Sequence, residues 1–180
     1  LSDDIPLLRG QGGGIMMHKY QISLEKTKHF SKLFLDYVNQ DEKLRSFYKY
    51  APSLDSFEQA IKDISSQKFN RKLLVDVLTE QYSKAHCQLP TANCQLLLKE
   101  NTFTVCTGHQ LCLFTGPLYF FYKIISTINL AEQLKEKYPA SDFVPVYWMA
   151  SEDHDFEEVN HANLFGKKIE WKNKQGGAVG

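Results

Sequence analysis

The chain of 180 residues is 43% apolar and 13% aromatic, which supports a core-forming domain and excludes a chain disordered throughout. Its 21 basic side chains balance 21 acidic ones, so no global field draws nucleic acid or an anionic membrane, and a charged ligand needs a local constellation. No run of about 18 apolar residues and no basic-then-apolar leader occurs, so a cytoplasmic protein without a membrane span is expected.

Residues 1–16 carry Gly10-Gln11-Gly12-Gly13-Gly14 ahead of Met16-Met17, a stretch that holds no regular element and is expected to be a non-native or disordered leader. A helical lobe is expected over 17–100. Phe30, Leu33, Phe34, Tyr37 and Val38 form one amphipathic face. Ser53-Leu54-Asp55-Ser56-Phe57-Glu58 offers caps for a second helix, and Phe69, Leu73, Leu74, Val77, Leu78 and Tyr82 form the face of a third. A short helix over 91–99 leads onward.

Residues 101–180 read as the first part of a larger α/β domain. Thr102-Phe103-Thr104-Val105-Cys106 is a β-branched and aromatic strand, which stops at a tight loop, Thr107-Gly108-His109-Gln110. Gly116-Pro117 opens a helix, with Pro117 suited to the first helical position, and Leu118, Phe121, Tyr122, Ile125 and Ile128 recur along one face until Tyr138-Pro139. Phe143 to Ala150 is nearly continuously apolar, as parallel strands covered on both faces are. Strand, helix, strand makes a right-handed βαβ unit, so loops 107–116 and 151–156 leave the same sheet edge, where open α/β sheets bind ligands. A short helix from Asp155 to Gly166 and a strand over 167–171 follow, and so few strands suggest the front of a larger sheet.

Cys87, Cys94, Cys106 and Cys112 match no zinc or redox spacing and are expected as free thiols, Cys106 buried and Cys112 the more accessible.

Three groups bear chemistry. The helix start at Gly116-Pro117 presents unpaired N–H groups, and Lys123, one to two turns along, leans back towards an anion held there. The alternative for Lys123 is a snorkelling surface lysine. His109 and Gln110 sit on the adjacent loop, although neither GxGxxG nor GxxxxGK[ST] is present. Ser151-Glu152-Asp153-His154-Asp155-Phe156-Glu157-Glu158 sets five carboxylates around an imidazole; Asp155 and Glu158 stand at capping-box spacing, which leaves Glu152, Asp153 and His154 for the crevice. A metal held by Asp153, His154, Asp155 and His161 is a weaker alternative, because the spacing matches no established motif.

Thr107-Gly108-His109-Gln110, Leu113-Phe114-Thr115-Gly116-Pro117-Leu118-Tyr119 through Lys123, Trp148 through Glu158, Phe69-Asn70-Arg71 and Phe165-Gly166-Lys167-Lys168 together resemble the cysteine-adding enzyme family of bacillithiol biosynthesis, from about Tyr20 to Gly180. The resemblance implies a Rossmann-like core similar to nucleotidyltransferases, a longer chain with a coiled coil used in dimerisation, and addition of cysteine to the amine of glucosaminyl malate with ATP as the activating nucleotide. It departs at His109, where members often have glutamine. On this reading Thr107, Gly108, His109, Gln110, Gly116, Pro117 and Lys123 line the nucleotide or malate side. Asp153, His154 and Asp155 hold or deprotonate the attacking amine. The competing expectations are a metal-dependent nucleotidyltransferase or phosphoesterase, and a non-catalytic partner-docking fragment.

Overall fold

The computed structural model describes residues 20–174 and 176–179, so the expected leader at 1–16 lies outside the described residues. Contacts divide the chain into two compact units, Leu1–Ser66 and Gln67–Gly180.

The first unit contains the short helices α1 (Leu24–Thr27) and α2 (Lys32–Val38), a 3-10 segment (Glu42–Phe47), a 3-10 turn (Leu54–Ser56) and α3 (Phe57–Ser65). Local polar chemistry starts these elements. Ser31 accepts the Phe34 N–H at 3.2 Å, and Asp41 accepts that of Lys43 at 2.9 Å. Phe30 stacks on Phe34 with ring centroids 4.9 Å apart, and Tyr37 meets Tyr48 edge-on at 5.1 Å.

The second unit runs α4 (Arg71–Lys84), α5 (Thr91–Leu97), β1 (Thr102–His109), α6 (Leu118–Lys137), β2 (Asp142–Met149), α7 (Phe156–Val159), β3 (His161–Leu164) and β4 (Lys167–Glu170). Asn70 caps α4 by accepting the Leu73 N–H at 3.0 Å. The Arg71 guanidinium donates to the carbonyls of Leu97, Glu100 and Thr102 at 3.0–3.1 Å, which ties α4 to α5 and to the start of β1. These bonds group residues 67–100 with the sheet, whereas the sequence reading places them in a lobe with the preceding helices.

β1 and β2 pair in parallel from Thr102↔Asp142 to His109↔Met149, and α6 packs across both strands. The expected βαβ unit is therefore present. Its core gathers Cys94 and Leu97 of α5, Ala131 and Leu134 of α6 and Val144 of β2; Leu134 is fully buried. At about 25 cal/mol per Å2, burial of such a side chain contributes on the order of 2 kcal/mol.

Four local expectations change. β1 continues through Thr107, Gly108 and His109, so the expected loop is the strand's C-terminal end. Gly108 faces Trp148, and a Cβ there would lie 2.9 Å from the Trp148 carbonyl oxygen; the glycine admits the neighbouring strand rather than breaking β1. Pro117 stands one position earlier than expected, at the N-cap of α6, after Gly116 with φ 68°. The helix expected to reach Gly166 ends at Val159, because β3 and β4 form an antiparallel hairpin about Phe165 and Gly166, at φ 49° and 75°, as a tight hairpin turn requires. The cysteines also reverse: Cys106 is exposed and Cys112 half-buried. Thr104 and Cys106 share the uncovered face of β1, between the half-buried Phe103, Val105 and Thr107.

Candidate functional site

Three elements converge at the C-terminal end of β1. His109 and Gln110 leave the strand, Tyr119 stands in the first turn of α6, and Glu158 projects from α7. Their positions have local causes. Tyr147 donates to the His109 carbonyl at 2.7 Å, which fixes the end of β1 against β2. The Lys123 ammonium donates to the Gly108 carbonyl and ties α6 to the same place. Asp155 caps α7 by accepting the Glu158 N–H at 3.1 Å.

The capping box expected from Asp155 and Glu158 is only half formed. The Asp155 N–H donates to Asp153 Oδ1 at 3.1 Å, and this leaves the Glu158 carboxylate for longer-range partners. Its Oε2 accepts from Gln110 Nε2 at 2.8 Å, and its Oε1 accepts from the Tyr119 hydroxyl at 2.9 Å. His109 Nε2 lies 2.5 Å from the Tyr119 oxygen and 3.3 Å from Glu158 Oε1, while its Nδ1 meets the Gln110 carbonyl at 2.8 Å. Cys112 Sγ sits 3.7 Å from that Nδ1.

The electrostatics follow from these contacts. The Tyr119 hydrogen bond lowers Glu158 from the ordinary carboxylate range, with His109 and Gln110 adding to it. Burial first, and the Glu158 carboxylate second, push the Tyr119 phenol up to about 12. Burial likewise raises the Cys112 thiol, again with a contribution from Glu158, so this cysteine stays a thiol rather than a thiolate near neutral pH. Gln110 is 2% exposed, and its Oε1 is buried without a hydrogen-bond partner among the described residues.

The structure thus brings together His109, Gln110 and Lys123 of the expected residues, with Gly108 filled by Trp148 and Gly116 turned against Cys112, whose Cβ would lie 2.6 Å from any Cβ at Gly116. Thr107 pairs with Tyr147 inside the sheet. Asp153, His154 and Asp155 are exposed on the neighbouring loop, where Asp153 and Asp155 shape the turn and the Asp153 carbonyl accepts the Val179 N–H at 2.7 Å. Tyr119 and Glu158 escape the sequence reading: one looks like a helix-face aromatic and the other like a cap. An apolar hollow of about 230 Å3 opens beside the network, lined by Leu111, Cys112, Leu113, Phe156, Val159, Trp171 and Val179. Among the described residues, no group of three or more His, Cys, Asp or Glu side chains converges as a metal site, and no helix is long and apolar enough to cross a membrane.

The comparisons with known proteins agree on a family. The profile described as bacillithiol biosynthesis BshC, N-terminal Rossmann-like domain, matches residues 17–180. A protein of Flavobacterium psychrophilum named "Putative cysteine ligase BshC" is 51% identical over 163 residues, covering 88% of this chain and 31% of that protein. A namesake from Christiangramia forsetii is 54% identical over 155 residues, covering 84% and 29%. One from Bacillus cytotoxicus is 39% identical over 127 residues, covering 70% and 23%. The chain therefore spans about three tenths of the length of the first two relatives. It belongs to the BshC N-terminal Rossmann-like domain family.

Proposed function

We propose that this chain supplies the front part of a ligase that joins the carboxylate of cysteine to the amine of glucosaminyl malate, with ATP activating the carboxylate. One observation carries the reading: a carboxylate, a phenol, an imidazole and an ammonium converge at the C-terminal edge of a parallel strand pair, in a chain related to proteins named as cysteine ligases. Such an edge is where open α/β sheets receive ligands.

The chemistry needs an anion-binding end and a proton acceptor. A carboxylate yields an amide only after its oxygen becomes a leaving group, which is what ATP supplies, and the amine must shed a proton as it attacks. The residues fit an anionic co-substrate. α6 begins after Pro117, which offers no side-chain cap, so the positive end of a 20-residue helix remains for a phosphate or carboxylate. Lys123 gives one N–H to the Gly108 carbonyl and has others for the same anion. On this reading Thr107, Gly108, His109, Gln110, Gly116, Pro117 and Lys123 frame the nucleotide or malate side, while Asp153, His154 and Asp155 hold the amine. The relatives' greater length accommodates the remaining sheet and a coiled coil for a homodimer.

The test is amide formation by the full-length protein from cysteine, glucosaminyl malate and ATP, followed by mass spectrometry. Product that requires ATP, with Lys123→Ala raising the KM for ATP or for an anionic substrate, supports the reading. Product formed without nucleotide contradicts it. Metal-dependent phosphoester cleavage lost on Asp153→Ala supports the nucleotidyltransferase or phosphoesterase alternative instead.

A further inference from the structure

His109 Nδ1 lies 2.8 Å from the Gln110 carbonyl, which can only accept, so Nδ1 carries a hydrogen. Two further close contacts remain in line: His109 Nε2 to the Tyr119 oxygen at 2.5 Å, and that oxygen to Glu158 Oε1 at 2.9 Å. Each needs a proton between its atoms, yet the phenol brings one. The second sits on His109 Nε2 or on Glu158. The closed network therefore stores a proton beyond those of a neutral histidine, a tyrosine and a carboxylate, and without it one contact sets lone pair against lone pair.

We propose that His109, Tyr119 and Glu158 form a relay that takes up the proton lost by the attacking amine. The assignment rests on the amide-forming reading above. The Glu158 side chain is 43% exposed and is the end open to a substrate, whereas that of His109 is 8% exposed and is the closed end. The three closed contacts are the proton-loaded state; before attack that proton has left to solvent, and the neutral His109 accepts at Nε2. As the amine nitrogen bonds to the activated carboxyl carbon, the activating group leaves with its bonding pair, and the N–H proton passes to Glu158. The Tyr119 proton moves to His109 Nε2, and Glu158 returns the proton it received to the Tyr119 oxygen. The relay ends as imidazolium, phenol and carboxylate, with charge and protons balanced. Besides Glu158 and Tyr119, the titratable groups facing His109 are Cys112 near Nδ1 and Tyr147 on its carbonyl, with Lys123 on the neighbouring Gly108 carbonyl. Gln110 is a positioning residue, since its amide holds the second Glu158 oxygen.

The experiment follows the His109 imidazole resonances by nitrogen NMR in the full-length protein, alongside kcat for amide formation against pH. The His109 Nε2 resonance of the wild type should move in Glu158→Gln, because the isosteric amide keeps the shape and changes the far end of the line of bonds that reaches Nε2 through Tyr119. Tyr119→Phe should abolish the coupling between the two ends. Both variants should lose roughly 100-fold in kcat with little change in KM, and recover rate as pH rises and solvent takes the proton. His109→Gln keeps a donor towards Tyr119 but stores no proton, so it should show the same recovery at high pH. An unchanged His109 Nε2 resonance in Glu158→Gln overturns the relay, and so does wild-type kcat in both variants. If the full-length wild type forms no amide at any pH, the ligase reading fails and the amine role with it, and the NMR result then shows separately whether the proton store exists.

Discussion

The two compact units are held by different physics. None of residues 20–66 is buried, and their order comes from caps, a stacked phenylalanine pair and surface ion pairs such as Lys32–Asp36 at 2.5 Å and Lys62–Glu58 at 2.6 Å. The second unit has a core around Leu134 and long-range bonds that cross elements. Exposed ion pairs each contribute roughly 0–1 kcal/mol, while a buried leucine contributes several times more. Chemistry that needs atoms fixed to a fraction of an ångström therefore belongs in the second unit, and the converging polar groups lie there.

The largest effect that would break this contrast is in the core. Leu134→Ala should cost about 3 kcal/mol in chemical denaturation, whereas Phe30→Ala in the first unit, 41% exposed, should cost on the order of 1 kcal/mol. Equal losses would remove the distinction. Gly108→Ala comes next: the added methyl meets the Trp148 carbonyl at 2.9 Å, so the strand ends must part, at about 1–3 kcal/mol in chemical denaturation. Asp155→Ala should cost on the order of 1 kcal/mol through the lost α7 cap, and Asp155→Asn much less, since asparagine also caps.

The smallest effect is electrostatic and belongs to the first unit. Lys49, Tyr50 and Gln59 all contact Asp63 and hold its carboxyl at about 2, below the usual 3.8. A folded-state value below the unfolded one adds stability that is complete above the ordinary carboxylate range and is lost as pH falls towards 2. Acid titration by circular dichroism should show this loss, and Asp63→Asn should flatten it. An identical acid transition in Asp63→Asn would assign the loss elsewhere.

Much of the fold was legible because its signals are periodic. The β-branched run at 102–106, the helical stripe from Leu118 and the apolar run at 143–150 are long enough for one period to dominate. The errors arose where one local signal had two readings. Thr107-Gly108 looks like a strand breaker, yet Gly108 is needed because Trp148 lies against it. The acidic start at Asp155 promises a long helix, but Phe165-Gly166 turns the chain into a hairpin whose pairing no local pattern announces. The site was legible only in part. His109 and Gln110 fall next to a break in pattern and Lys123 follows a helix start, whereas Tyr119 and Glu158 are brought together only by the fold, through contacts between distant segments.

Hydrogen–deuterium exchange of the full-length protein, with and without ATP and the anionic substrate, tests the placement of function most directly. Added protection is expected at 107–123 and 151–158, which hold the end of β1, the loops beyond the sheet edge and the starts of α6 and α7, with exchange across 20–66 unchanged. Protection confined to 20–66, or none at the sheet edge under saturating ligand, would contradict it.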